Sequence, residues 1–450
     1  MTNVQPDVLP HHAKPADRWR DTLRRWAIDG RNADVLAAMT AASLPWSTSA
    51  TAILVVLWTI VLIPSLDWRV FVRNLAHPAC ALPFAFVALS ILGVLWTDGT
   101  WSEGLRGIKP VAKLLVIPFL LGHFQHSKRG MWVFVAFLGS CTLMMILSWI
   151  VLFFPALKLT RTVSDGVPVK NYIDQSQEFA LCAFALALPA LISIRQHHLA
   201  STIGWTALML AFIANMMFVV SARTALVYIP VLLVLFTALH LSRRAKPALI
   251  AAAIVAAGLV WSTSPYLRQR IADVATEYQG YESNTAVSTA QRLYYWRKSV
   301  GFIAEAPLFG HGTGSTRQLF AREAAGQTGL AAEVVSNPHN QTLNVAVQWG
   351  LLGGIVLYGM WLSHLLLFRG EGLAAWIGLV TVVQNFVSSL LNSHLFDFHE
   401  GWMYVLGVGV AGGMSLRAAM QRRGAFESAT IVAARGDGDW RESPVSSPGP

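Results

Sequence analysis

The sequence predicts an all-α polytopic membrane protein, with about twelve transmembrane helices and a partly helical loop domain on the outer, periplasmic side. Three observations carry this prediction. Of the 450 residues, 54% are apolar and only 13% are charged, against the ~25% charged share of a soluble globular domain. Apolar stretches approaching the roughly 20 residues that span the hydrocarbon recur along the chain. Lys and Arg number 34 against 24 Asp and Glu, a formal charge of +10, and most of these cations fall in alternate inter-span segments, as the positive-inside rule requires. The composition excludes a disordered chain, which would be polar and poor in aromatics. It also argues against a soluble enzyme, because so few charges cannot solvate so apolar a surface. Basic loops beside a membrane account for the charge without nucleic acid, so membrane lipids, and no nucleic acid, are the expected partners.

Residues 1–32 form a polar arm with Lys14, Arg18, Arg20, Arg24, Arg25 and Arg31. No apolar run follows the start directly, so a cleavable signal is not expected, and Arg24-Arg25 reads as part of a basic cytoplasmic arm. Spans are expected near 33–46, 48–66, 81–97, 108–124, 131–154, 174–194, 201–220, 222–241 and 246–262, and again near 341–367, 371–391 and 398–416. The first of these is short and holds Pro45. An even number of spans puts both termini on one side, expected to be the cytoplasm. Trp46, Trp68, Trp96, Trp101, Trp132 and Trp261 sit near span ends as an ordinary aromatic belt. Cys80, Cys141 and Cys182 form no CxxC pair, which argues against redox chemistry and structural zinc.

Between the two groups of spans, residues 263–340 keep helical patterning. Leu267, Ile271, Val274 and Tyr278 share one face, and Leu293, Trp296 and Val300 share another. Pro307 and the glycines of 310–314 end the second helix. The segment reads as a periplasmic loop domain whose apolar underside rests on the spans. The tail 417–450, rich in Gly, Ser, Pro and Asp from 424 onward, is expected to be disordered and cytoplasmic.

Some cations sit where that topology does not place them: Arg106, Lys109, Lys113, Lys158, Arg161, Lys170 and Arg223. An ionisable group at membrane depth costs ~2.5–3.5 kcal/mol or more, so it faces a cavity or snorkels to the interface. Arg223, in Ser221-Ala222-Arg223-Thr224 between two apolar runs, suits an anion site at an outer cavity mouth. Arg161 shares the outer loop 155–173 with Lys158 and Lys170. Arg292 and Arg297, five residues apart on one helix, point ~140° apart, with Arg292 taken as the inward one. Lys109 and Lys113 are i, i+4 at the outer start of a span and serve as interfacial anchors or add to the positive field. Guanidinium forks match phosphate oxygens bidentately, so the cluster suggests a lipid phosphate or diphosphate.

The stretch Asn337-Pro338-His339-Asn340 ends the loop domain and opens the next span. A proline near the first turn after a polar residue marks a helix start. His339 is thus expected at the membrane surface beside a positive helix end, where the neutral imidazole is favoured and acts as a general base. A capping or packing histidine is the alternative, and Asn340 is a supporting residue on either reading. Gly310-His311-Gly312-Thr313-Gly314 has the wrong spacing for either nucleotide-binding glycine loop and reads as a turn that bends the loop domain back. Asp437 and Asp439 form a DxD pair in the presumed cytoplasmic tail and are set aside.

The many spans, the large late outer loop, the Gly310–Gly314 turn, Pro338-His339-Asn340 opening a span, Gly350-Leu-Leu-Gly-Gly after it, and Ser221-Ala222-Arg223-Thr224 resemble the O-antigen ligases. Their superfamily also holds O-antigen polymerases and bacterial protein O-oligosaccharyltransferases. The resemblance implies a membrane-embedded C-type glycosyltransferase of the bacterial inner membrane. The donor would be a polysaccharide on undecaprenyl diphosphate and the acceptor a hydroxyl of lipid A–core, at the periplasmic face. His339 matches the family's essential histidine, Arg223 and Arg292 its essential arginines, and Arg161 a further diphosphate contact.

The donor carries its own leaving group, so no cofactor is expected. No outer Asp/His cluster is read with ligand spacing, so no metal is expected either. Direct attack would invert the anomeric carbon, although Asp174, Glu178, Asp397 and Glu400 near outer span ends keep a carboxylate nucleophile open. A polymerase or protein-glycosylating enzyme is the alternative within the superfamily. A transporter of a lipid-linked anion is the alternative outside it, disfavoured because the charges crowd one face rather than the midplane.

Overall fold

The computed structural model describes residues 30–66, 68–162, 164–220, 222–269, 271–273 and 288–436. Most of the basic arm, Ser221, Val274, Tyr278, Asp437 and Asp439 lie outside the described residues. The chain forms helices α1 (Gly30–Ser43), α2 (Thr48–Leu62), α3 (Trp68–Asn74), α4 (Pro78–Leu92), α5 (Trp101–Ala112), α6 (Val116–His126), α7 (Gly130–Phe153) and α8 (Tyr172–Arg195). There follow α9 (Leu199–Phe218), α10 (Ala225–His240), α11 (Ala245–Thr263), α12 (Ser288–Glu305), α13 (Thr316–Ala324), α14 (Gln341–Leu367), α15 (Leu373–Ser389) and α16 (Phe398–Gly436). No strand occurs among the described residues. The protein is an all-helical polytopic membrane protein.

Every expected span coincides with a helix, but the lengths differ. Among the described residues eight helical stretches are long and apolar enough to cross a bilayer: Pro78–Trp96, Trp101–His126, α7, α8, α9, α11, α14 and Phe398–Gly424. The helices α2, α10 and α15 are apolar but shorter, and α1 has 14 residues. The span expected at 108–124 is the C-terminal part of a rod that starts at Trp101. A capping box of Thr100 and Glu103 begins that rod, and a tight 3-10 turn at Lys113–Leu115 joins its halves. The polar residues of α5 hid this start from a hydropathy reading. Over residues 417–436, expected to be disordered, α16 instead continues. Arg417-Ala418-Ala419-Met420-Gln421 are strong helix formers, and they extend the last span.

The helices run between two ends. At one end Asp34 of α1 accepts hydrogen bonds from His123 (2.8 Å), Ser127 (2.7 Å) and Arg129 (3.3 Å). Arg417 of α16 donates to the Ser127 carbonyl there. At the other end Lys170 donates to the Leu44 carbonyl, His399 meets Asp174 at 2.7 Å, and Gln341 N–H donates to the Asn392 carbonyl at 3.1 Å. The described start and the far end of α16 thus share one end of the bundle.

The loop domain is stitched down onto that second end. Tyr295 and Phe302 of α12, Leu319 and Phe320 of α13, and Val347 of α14 form its small core. The Gly310–Gly314 turn wedges between α4 and α14. His311 N–H donates to Val347 O (2.9 Å), Gly312 N–H to Gln348 O (2.8 Å) and Thr313 N–H to Gly93 O (2.9 Å). Gly312 has φ 84°, and a Cβ there would lie 2.4 Å from Thr97 Cα, so only glycine fits. The opposite partner is the break in α14 at Gly350, φ 59°. There Leu351 and Leu352 N–H groups leave the helix ladder and donate to Pro307 and Leu308 carbonyls at 2.8 and 3.2 Å.

Candidate active site

His339 sits at the junction of the loop domain and α14, half-buried, with φ 55°. A left-handed backbone at a non-glycine residue costs roughly 1–3 kcal/mol and persists only where neighbours enforce it. Two asparagines do so. Asn337 Oδ1 accepts the His339 N–H at 2.8 Å and the Ser393 hydroxyl at 2.7 Å. Asn340 caps α14, accepting Leu343 N–H at 3.1 Å and donating to Leu390 O at 2.8 Å. Both therefore tie the start of α14 to the loop after α15.

The imidazole is held by a third asparagine. His339 Nδ1 lies 2.8 Å from Asn392 Oδ1, and the same atom accepts the Ser393 backbone N–H at 3.0 Å. A backbone N–H only donates, so that side-chain atom is the carbonyl oxygen. His339 Nδ1 must then carry a proton, so in the neutral ring Nε2 is the nitrogen with the lone pair. The contact with Asn392 thus selects Nε2 as the nitrogen that can accept a proton.

Arg292 of α12 reaches the same loop, its Nη1 donating to Leu391 O at 3.1 Å, whereas Arg297 is exposed on the outside of that helix. One turn on from Arg292, Trp296 donates to Pro338 O at 3.0 Å, and the Tyr295 ring lies 6.4 Å from the His339 ring. Burial, together with a hydrogen bond from its hydroxyl to Glu333, holds the Tyr295 phenol protonated well above its usual range. Arg223 is half-buried on the turn between α9 and α10, at the same end of the bundle. Its neighbour Ala222 donates an N–H to Ser176 of α8 at 2.9 Å.

Other expected residues lie elsewhere or do other work. Arg161 is exposed on the loop before α8, and no described contact ties it to the His339 cluster. Lys109 is exposed on α5. Lys113 is buried, and its ammonium donates to the carbonyls of Phe396 (3.0 Å) and Asp397. It clamps protein backbone and is not a cation available to a substrate. Asn340 acts through its cap.

A cleft of about 460 Å³ opens beside the histidine, lined by Asn337, Asn344, Gln348, Arg106, Arg317 and Asp397 among others. Below it the bundle end is densely polar. Asp174, Gln175, Ser176, Gln177 and Glu178 of α8, with Gln341 and Asn344 of α14 and Asn392 to His394, are all buried. The sequence marks Asp174, Glu178, Asp397 and Glu400 by position and Asn337 as part of the histidine motif, but Asn392, Ser393 and His394 join the site only in the fold. The visible signal was the polar run Asn392-Ser393-His394 directly after an apolar span. The premise that no outer Asp/His set has ligand spacing also fails. His394, Asp397 and Glu400, at i, i+3 and i+6, bring ligand atoms within 4.8 Å of one another.

No curated protein matches the chain in sequence. Residues 207–358 match the family described as O-antigen ligase, a stretch that contains Arg223, Arg292 and His339 but ends before the loop that holds the imidazole. Over this stretch, which carries the histidine junction of an all-helical membrane protein, the chain is similar to the O-antigen ligase family.

Proposed function

We propose that this protein is an O-antigen ligase, which transfers a polysaccharide from undecaprenyl diphosphate to a sugar hydroxyl of lipid A–core. The observation that carries the reading is His339: its Nδ1–H is fixed on Asn392 and its Nε2 is left as an acceptor, within the segment shared with the family. Nε2 takes the proton of the acceptor hydroxyl as the oxygen attacks the anomeric carbon. The C–O bond to the diphosphate breaks from the opposite side, so the anomeric configuration inverts. Negative charge grows on the departing diphosphate, and the preorganised guanidinium groups of Arg292 and Arg223 stabilise it. Arg161 adds to the positive field at the rim. Every bond made or broken is accounted for by these groups, with no cofactor and no metal in the chemical step.

The orientation follows from charge. Arg129, Arg195, Arg243, Arg244, Lys246, Arg369 and Arg417 gather at the bundle end away from His339, which by the positive-inside rule faces the cytoplasm. Residues 263–340 then form the periplasmic domain. The arm 1–32 and the chain beyond α16 are cytoplasmic, and the enzyme sits in the bacterial inner membrane.

The test is an acceptor panel. Purified protein in nanodiscs is given lipid-linked glycan with lipid A–core, with a second lipid-linked glycan, or with acceptor peptide. Transfer to lipid A–core is expected. Chain elongation or peptide modification in its place makes the protein a polymerase or a protein glycosyltransferase, and no transfer to any acceptor removes the enzyme reading.

A further inference from the structure

Directly behind the loop that holds His339, three side chains converge that the proposed chemistry does not use. His394 is fully buried, and neither of its ring nitrogens has a hydrogen-bond partner. Its Nδ1 lies 3.4 Å from Asp397 Oδ2 and 3.4 Å from Glu400 Oε1. Both separations are too long for the short charge-assisted hydrogen bond that an imidazole and a carboxylate make when they pair directly. They fit another geometry. Donors ~2.1 Å from a shared ion at tetrahedral angles are about 3.4 Å apart, the edge of a zinc-type site.

The rest of the cluster is consistent with a bound ion. His399 is held by Asp174 at 2.7 Å, which leaves His394 as the imidazole that faces Asp397 and Glu400. Lys113 directs its hydrogen bonds to the carbonyls of Phe396 and Asp397, and its ammonium, near both carboxylates, supplies one positive charge against their two. Asp397 and Glu400 offer carboxylate oxygens and His394 an imidazole nitrogen, a donor set that suits a divalent cation of the zinc class, and carboxylates buried without a partner are costly. Asp397 is 36% exposed at its side chain and lines the cleft of about 460 Å³, which gives an ion a way in. One tetrahedral position remains for water.

We propose that His394, Asp397 and Glu400 bind a divalent transition-metal ion of the zinc class. The ion pins the turn between α15 and α16, and with it the Leu390–Ser393 segment on which His339 and Arg292 rest. It takes no part in the transfer step, and the proposal does not depend on which acceptor the protein uses.

The test uses the full-length protein in nanodiscs, stripped with chelator, then titrated with Zn²⁺ by calorimetry and with Co²⁺ by visible absorption. Wild type is expected to bind one tight equivalent and to show the intense visible band of tetrahedral Co²⁺. Glu400→Gln and Asp397→Asn keep the side-chain shapes, so they preserve folding where His394→Ala fails to; each is expected to weaken that equivalent by ~10-fold or more. A thermal shift on adding Zn²⁺ should be present in wild type and lost in these variants. If wild type takes up no tight equivalent, Lys113 alone balances the carboxylates and the proposal is wrong. Equal uptake by wild type and both isosteric variants places the ion elsewhere and overturns it too.

Discussion

At the scale of single residues, the proposed chemistry depends on which nitrogen of His339 holds the proton. Asn392 decides this, because its carbonyl oxygen is pinned by the Ser393 N–H and accepts only from Nδ1–H. Asn392→Leu removes that acceptor while filling similar space. Turnover is then expected to fall by ~10-fold or more, within the ~10²–10⁴ that a general base supplies, with donor affinity unchanged. A kcat equal to wild type in the reconstituted transfer assay would show that the tautomer is set in some other way. The histidine motif was legible in the sequence because proline and flanking asparagines punctuate a helix start. Asn392 was not, because it lies 53 residues further on and meets His339 only through the packing of α14 against α15. Lys113 was misleading for the related reason that a cation near a span end looks alike whether it faces a ligand or a backbone carbonyl.

At the scale of elements, the loop domain is positioned by interruptions rather than by regular helix. Gly350 breaks α14, freeing the N–H groups of Leu351 and Leu352 for the carbonyls of Pro307 and Leu308. A Cβ on Gly350 would lie 2.5 Å from Leu308 C, at φ 59°. Gly350→Ala is therefore expected to cost roughly 1–3 kcal/mol. It should lower the melting temperature of the purified protein by several degrees; an unchanged melting temperature would mean that the break does not anchor the domain. The sequence displayed the glycines and the end of the α12 helix, since Pro307 and Gly310 are strong local punctuation. It could not display the pairing of two glycine breaks across 40 residues of chain, from Gly310 to Gly350. The long reach of α16 was hidden for the opposite reason: its polar continuation has high helix propensity but no hydropathy signal.

At the scale of the whole molecule, apolar runs marked where the helices lie, because a crossing segment must be apolar, although only eight helical stretches among the described residues are long and apolar enough to cross a bilayer. Charge asymmetry then orients the bundle, with the His339 end away from the basic end. A cysteine in place of Gln327, exposed in the loop domain, is expected to react with an impermeant maleimide added to spheroplasts, and one in place of Glu371, exposed at the opposite end, is not. The reverse labelling would put the His339 end in the cytoplasm and contradict the proposed topology. The central claim joins all three scales: an oriented bundle presents one fixed imidazole as proton acceptor beside cations that hold a leaving diphosphate. Its most direct test is His339→Ala in nanodiscs with lipid-linked glycan and lipid A–core, measuring donor binding and transfer together. The account predicts donor binding within about 2-fold of wild type and a loss of transfer of ~10²-fold or more. Transfer at the wild-type rate by that variant would contradict it.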